Sequence, residues 1–143
     1  MTCRMDHTHG GDGMPTDSKL AVMSDALIQT AARWKIPREL ALFVIARDRS
    51  CVYCGRPFET TPGPRNAWAS WEHIVNDVAL VSEANIALCC IGCNSSKSTK
   101  SLWQWLDSRG CKPRQVTLQT LAAVAIGGLT ASVASNGPSR NDG

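Results

Sequence analysis

The sequence has no long hydrophobic run. Charged side chains such as Lys19, Asp25 and Arg33 interrupt its most apolar region, so no stretch reaches the roughly 18 to 20 apolar residues that a membrane span needs. The first residues also lack the apolar segment of roughly 7 to 15 residues that an export signal contains. We therefore predict a cytoplasmic protein that has no membrane partner.

The composition lacks the extremes that mark a fibrous or disordered chain. Hydrophobic residues make up 43% and charged residues 19%, which argues against full disorder, a collagen-like chain and a coiled coil. The 143 residues suffice for one ordinary domain and are too few for two. We predict a single domain at residues 17–126, with a flexible tail at 1–16 and a disordered tail at 127–143.

Histidine is scarce, with three residues, whereas cysteine is abundant, with seven. An odd number of cysteines in a chain without an export signal argues against a disulfide scaffold. Four of the seven form two Cys-x-x-Cys pairs, namely Cys51 with Cys54 and Cys90 with Cys93. Two such turns can direct four thiolates at one centre, which is a ligand set of structural zinc. We predict a zinc site here, with redox-active or ordinary buried thiols as the alternative.

Hydrophobic spacing predicts two helices before the first cysteine pair and a short one near the end of the chain. The first helix runs from residue 17 or 18 to about 34, and the second from 38 to about 48. The last helix is predicted from 117 to about 125. The apolar stripe of the second helix consists of Leu40, Phe43 and Val44.

The chain between and after the cysteine pairs predicts a hairpin followed by a helix. Glycine and proline make 55–67 a loop, and the aromatic and β-branched content of 68–75 predicts a strand. Residues 85–88 return as the second strand. A helix capped by Asn94 or Ser95 then continues to about residue 105.

One combination of motifs resembles the HNH endonuclease family, whose fold is the ββα-metal unit. The residues that carry the resemblance are Cys51-x-x-Cys54, Glu72-His73-Ile-Val, Asn85-Ile, and Cys90-x-x-Cys93-Asn94-x-x-Lys97. The resemblance covers about residues 45–106, and the combined spacing is specific although each piece alone is weak. It implies an α+β fold in which two N-terminal helices and a short C-terminal helix flank a zinc-stabilised ββα-metal core.

The resemblance also implies a role for each polar residue of the hairpin and the following helix. His73 would be the general base that activates water, and Asn85 would orient it and stabilise the hairpin loop. Glu72, in place of the aspartate usual at this position, and Asn94 would bind a catalytic Mg²⁺ or another divalent cation through oxygen. From the residues alone, strand alternation places Glu72 and His73 on opposite faces unless a bulge or twist intervenes.

Charge favours a nucleic-acid partner. The net charge is +3, and five basic residues face one acid between Asn94 and Arg114. Lys97 and Lys100, close together on the predicted helix, would contact the DNA backbone. We therefore predict double-stranded DNA as the partner, with a homodimer or a separate specificity partner left open.

These observations predict a metal-dependent HNH endonuclease that hydrolyses DNA phosphodiester bonds, by nicking or by double-strand cleavage. The first alternative is a non-catalytic, zinc-stabilised DNA-binding module. The second is a protein-interaction module that uses the terminal helices, and RNA or modified DNA stays open as the substrate. For single residues, Asn85 as a turn residue, Asn94 as a helix cap and the lysines as a solvated face are the structural alternatives.

Overall fold

A computed structural model describes residues 17–135. This part of the chain begins with two helices that pack together. Helix α1 spans Asp17–Ala31, continues in a 3-10 turn at Ala32–Trp34, and is followed by helix α2 at Arg38–Arg47. Both agree with the predicted ranges. The predicted tail at 1–16 and the last part of the predicted tail at 127–143, from residue 136 onwards, lie outside the described residues.

The buried side of α2 differs from the predicted stripe. Ala41, Val44 and Ile45 are buried, whereas Phe43 is 44% exposed. The predicted stripe therefore contained Val44 correctly and Phe43 wrongly. Helical spacing alone does not distinguish the predicted stripe from the observed one. Ala41 and Ile45 are spaced from Val44 much as Leu40 and Phe43 are.

The predicted hairpin is present. Strand β1 spans Ala69–His73 and pairs antiparallel with strand β2 at Ile86–Cys90, in the register that sets His73 opposite Ile86. All five residues of β2 are buried, so the strand is covered on both faces. Strand β2 ends at Cys90, so it places the first cysteine of the second pair near the first pair.

The helix predicted after the hairpin is two helices, so its prediction as one element was wrong. Helix α3 spans Ile91–Lys97 and helix α4 spans Leu102–Leu106. Between them Ser98 adopts φ 51° and ψ −130°, a conformation that no helix interior allows. Ser101 then begins α4 with a reciprocal capping box to Gln104.

The N-cap of α3 was also predicted at the wrong residue. Cys90 occupies the cap, and its sulfur accepts a hydrogen bond from the backbone N–H of Cys93. A thiolate at this position satisfies a helix N–H in the way that serine or aspartate usually does. Asn94 and Ser95, the predicted caps, lie inside the helix.

The C-terminal helix lies further along the chain than predicted. Helix α5 spans Ala123–Ser135, and the chain before it turns at Thr120, whose hydroxyl donates to the backbone carbonyl of Tyr53. The predicted domain end at 126 and the tail from 127 are therefore wrong as far as residue 135. The Gly127-Gly128 pair suggested a tail, but Gly128 is needed for packing, since a Cβ there would lie 2.3 Å from Ile74 Cγ2.

The observed class is α+β, with five α-helices and one two-stranded sheet in residues 17–135. Helix α1 packs on β1 through the indole of Trp71, which donates to the Leu27 carbonyl at 2.9 Å. Helix α3 packs on the opposite face of β1, where its side chains contact Ser70 and Glu72. No helix in this part of the chain is long and apolar enough to cross a membrane.

Candidate functional site

Four cysteines meet where the first turn, the end of β2 and the start of α3 come together. The sulfurs of Cys51, Cys54, Cys90 and Cys93 all lie within 4.8 Å of one another, and all four residues are buried. Backbone N–H groups of Tyr53 and Cys54 point at the Cys51 sulfur at 3.4 Å. Four sulfurs without a carboxylate can hold a metal such as zinc.

The ionisation of these thiols is uneven. Burial, followed by hydrogen bonds to the other three cysteines, raises the pKa of Cys51. Hydrogen bonds from Cys51, Cys54 and Cys93 instead lower the pKa of Cys90, and the bond from Cys51 contributes most to a pKa of about 7 at Cys54. Four thiolates this close together repel one another, and a bound cation is the physical means of accommodating them.

Two other cysteines are near but separate. Cys89 is fully buried beside the Ser70 hydroxyl, with the Ser70 Oγ and Cys89 Sγ atoms 4.0 Å apart. Cys111 donates its thiol to the Leu106 carbonyl at 3.4 Å. Cys89 therefore packs into the core, apart from the four-cysteine cluster.

Arg114, which the sequence places among the five basic residues of a predicted DNA-binding surface, contacts the cluster. Its Nη2 donates to the Cys90 sulfur at 3.2 Å, and the side chain is partly buried. Desolvation lowers the pKa of Arg114, but hydrogen bonding to Cys93 and the charges of Cys90 and Cys93 raise it more. Nothing in the local sequence indicates this contact, because 21 positions separate Arg114 from Cys93.

Glu72 lies on the side of β1 that faces α3, and it already has two partners. Lys97 Nζ lies 3.0 Å from Glu72 Oε2, and Tyr53 Oη donates to the same oxygen at 2.6 Å. Side-chain exposure is 9% for Glu72 and 1% for Lys97, so the ion pair is buried. A carboxylate neutralised in this way is less available to a divalent cation than a solvated one.

Lys97 was predicted to contact DNA, and its burial corrects that prediction. An ammonium that is 1% exposed cannot reach a phosphate on the surface. Lys100, the second predicted contact, is exposed. The sequence could not separate the two, since the direction of each side chain depends on the helix break at Ser98.

His73 is on the opposite side of β1 from Glu72, as strand alternation requires. Its ring lies 5.9 Å from the Trp34 ring at an interplanar angle of 44°. The Nε2 atom is buried and has no hydrogen-bond partner. Burial lowers the pKa of His73 below its ordinary value of 6.5, and Lys97 adds to this, although Glu72 and Asp77 act in the other direction.

Asn85 closes the loop between the two strands. Its Oδ1 accepts from the Val75 N–H at 2.7 Å, and its Nδ2 donates to the carbonyls of Val75 and Leu80, each at 3.1 Å. The side chain is buried and fully used by these bonds. Asn85 is thus a loop-stabilising residue, and none of these bonds connects it to His73.

Asn94 lies on α3, one turn before Lys97, and contacts β1. Its Nδ2 donates to the Ser70 hydroxyl at 3.0 Å and to the Trp71 carbonyl at 3.2 Å. Asn94 and Lys97 therefore face Ser70 and Glu72, which are alternate residues on one side of β1. With Nδ2 used in these bonds, Oδ1 is the atom of Asn94 that could ligate a cation.

A cavity of about 370 Å³ lies between α1 and the start of β1. Its wall is mostly apolar and includes Trp34, Trp68 and Trp71, and Asn94 also lines it. The indole nitrogens of Trp68 and Trp71 are already bonded, to the carbonyls of Gly63 and Leu27. These bonds connect the Trp71 ring to α1 and the Trp68 ring to the loop that precedes β1.

Comparison of the chain with protein-family models gave no match, and comparisons with curated proteins and with solved structures gave none either.

Proposed function

We propose that this chain is a metal-dependent endonuclease of the HNH type that hydrolyses DNA phosphodiester bonds. The observation that carries the proposal is the His73 imidazole, whose Nε2 is buried without a hydrogen-bond partner. Buried side-chain nitrogens are nearly always hydrogen-bonded, so an unpartnered one is expected mainly where a ligand or reacting group completes it. The hairpin followed directly by α3 supplies the ββα order that the proposal requires.

In this proposal His73 is the general base. A pKa below 6.5 keeps the imidazole neutral at pH 7, so a ring nitrogen can accept a proton from an attacking water. Trp34, which is 44% exposed, borders the imidazole and limits the direction from which water and phosphate can approach. Asn85 acts from a distance by fixing the loop that follows β1.

Glu72 and Asn94 offer the oxygen ligands that hard cations prefer. Their atom types fit Mg²⁺, but the Glu72 carboxylate is neutralised by Lys97. Under the proposal, these two residues would hold the divalent cation only if the cation displaces Lys97 from the Glu72 carboxylate. The cation would supply neutralisation of the charge that develops on the phosphate.

The proposed substrate is double-stranded DNA bound through its phosphates. Of the five basic residues after the cysteine site, Lys97 is buried and Arg114 contacts Cys90. Lys100, Arg109 and Lys112 are exposed and are the residues that we expect to contact the backbone. Contacts to phosphate carry no sequence information, so selectivity would need a second copy of the chain or another partner.

A second candidate is a non-catalytic, zinc-stabilised DNA-binding module. The observation that favours it is the Glu72 carboxylate, which is paired with the buried Lys97 ammonium and accepts a hydrogen bond from Tyr53. In this case the hairpin and α3 form a scaffold for the exposed lysines and arginines. The module would bind DNA in a salt-sensitive way and would not cut it.

The two candidates are separated by adding divalent cations to protein that retains zinc. Supercoiled plasmid is incubated with Mg²⁺, Mn²⁺ or Ni²⁺, and DNA retention is measured at low and high salt in parallel. Metal-dependent nicking or linearisation supports the nuclease. Salt-sensitive retention without cutting by any of the metals supports the binding module, and no retention at all contradicts both.

A further inference from the structure

The guanidinium of Arg114 packs on the backbone of the second cysteine pair. A Cβ built on Gly92 would lie 2.5 Å from Arg114 Cζ and 2.6 Å from each terminal nitrogen. The guanidinium therefore occupies the space that a side chain at Gly92 would take. From this position Nη2 donates to the Cys90 sulfur at 3.2 Å.

The Arg114 contact offsets part of the negative charge of a zinc-loaded four-cysteine site. Four thiolates and one Zn²⁺ together carry two negative charges, and all four cysteines are buried. Backbone N–H groups of Tyr53, Cys54 and Cys93 donate to the sulfurs, but they bring only partial charges. Arg114 brings a full positive charge that is retained at every pH of interest, and charge-assisted hydrogen bonds are the stronger kind.

We propose that Arg114 is a positioning residue of the metal centre, which neutralises part of its charge and orients Cys90, and that position 92 is glycine to make room for it. Residues around a metal's ligands tune its affinity and electronic properties in this way. The inference goes beyond the nuclease proposal, because it holds whether or not the chain cuts DNA.

The test replaces Arg114 by glutamine and measures zinc affinity by competition with a chromophoric chelator. We expect the affinity to fall on the order of 10-fold to 100-fold, the range typical for residues that contact metal ligands. Arg114→Lys, which restores the charge without the planar fork, should recover part of the loss. Arg109→Gln removes an exposed arginine of the same segment and should leave the affinity unchanged.

Cobalt substitution provides a readout that a merely structural role would not move. Removing a donor from the Cys90 sulfur should shift the thiolate-to-cobalt charge-transfer band to lower energy in Arg114→Gln. Gly92→Ala should cause a shift in the same direction, since the new methyl displaces the guanidinium. This variant should fold, because its steric conflict is with the end of a flexible side chain and alanine favours a helix.

Wild-type zinc affinity and an unshifted cobalt band in Arg114→Gln would overturn the inference. An equal loss of affinity in Arg109→Gln would also overturn it, since a general charge effect would then suffice. If Arg114→Gln does not fold, Gly92→Ala decides: weaker zinc binding with a shifted band supports the inference, and an unshifted band overturns it.

Discussion

Lys97 Nζ lies 3.0 Å from Glu72 Oε2 in the protein interior. The lysine that was predicted to contact DNA therefore neutralises the carboxylate that was predicted to bind the catalytic cation. Tyr53 donates to the same oxygen from the first cysteine turn. The pair therefore connects α3 to β1, and the tyrosine connects both to the four-cysteine cluster. The central question about the site is whether a divalent cation can replace Lys97 at Glu72.

Removing one member of this pair should destabilise the fold strongly. Lys97→Met leaves the buried Glu72 carboxylate without its counter-charge, and losses of about 3 to 5 kcal/mol are typical when one partner of a buried pair is removed. Urea denaturation of zinc-loaded protein measures the change in the free energy of unfolding. Lys100→Met, at an exposed lysine nearby, should change it by less than about 0.5 kcal/mol.

The double variant Glu72→Gln/Lys97→Met removes both charges and should recover part of the stability lost in Lys97→Met. The recovery follows because no uncompensated charge is left in the interior. Equal stability of Lys97→Met and Lys100→Met would contradict a buried ion pair.

Tyr53→Phe should cost about 2 kcal/mol, since the lost hydroxyl donates to a charged, buried carboxylate. The ring contact with Trp105, whose centroid lies 5.2 Å away, stays possible for phenylalanine. The variant should therefore keep its near-UV circular dichroism and its zinc content while its urea midpoint falls. An unchanged midpoint would mean that the hydroxyl contributes nothing to the stability of the fold.

Zinc should contribute directly to folding. Cys93→Ser removes a ligand atom from the cluster, and binding a structural zinc is coupled to folding, so this variant should be largely unfolded. Cys111→Ser is the matched control, because Cys111 is buried but only donates to backbone carbonyls. Metal analysis and circular dichroism should give one zinc and a folded chain for Cys111→Ser alone. Similar unfolding of both variants would contradict the site.

His73 should make the protein less stable in mild acid. Its folded-state pKa lies below 6.5, so at intermediate pH the unfolded chain binds more protons and stability rises with pH. The contribution of neutral His73 to the free energy of unfolding is complete above pH 6.5. It is lost as the pH falls through 6.5 towards the folded-state pKa of His73. His73→Gln should lose less stability than wild type between pH 7.5 and pH 5.5 in urea denaturation. Comparing the two chains at each pH cancels the effect of thiol protonation, which they share.

Local patterns predicted much of the fold. The period of α1 and α2, the hairpin and each Cys-x-x-Cys turn follow from residues near one another in sequence, and the shared spacing of the two turns indicated that they meet. The break at Ser98 was missed because it contains no proline or glycine, the residues that usually mark a backbone with positive φ such as the 51° found there. Helix α5 was misplaced because Gly128, which packs against Ile74, looks in the sequence like a residue of a tail.

The candidate site was predicted less well than the fold. The sequence identified Glu72, His73 and the cysteines, but their partners Lys97, Tyr53 and Arg114 depend on contacts between distant segments. The single tyrosine inside a Cys-x-x-Cys turn was the available signal for Tyr53, since a buried tyrosine hydroxyl needs a partner. Lys97 and Arg114 carried no such signal, because a cation in the sequence is equally compatible with a surface position.

Plasmid cleavage by wild type and by His73→Ala is the direct test of whether His73 activates water for phosphodiester hydrolysis. Both proteins are loaded with zinc, checked for equal folding and equal DNA retention, and given the divalent cation that supports the fastest reaction. Wild type should give nicked or linear plasmid, and His73→Ala should leave the plasmid supercoiled because the base is absent. Equal cleavage by the two proteins would contradict the role of His73, and no cleavage by either would contradict the nuclease itself.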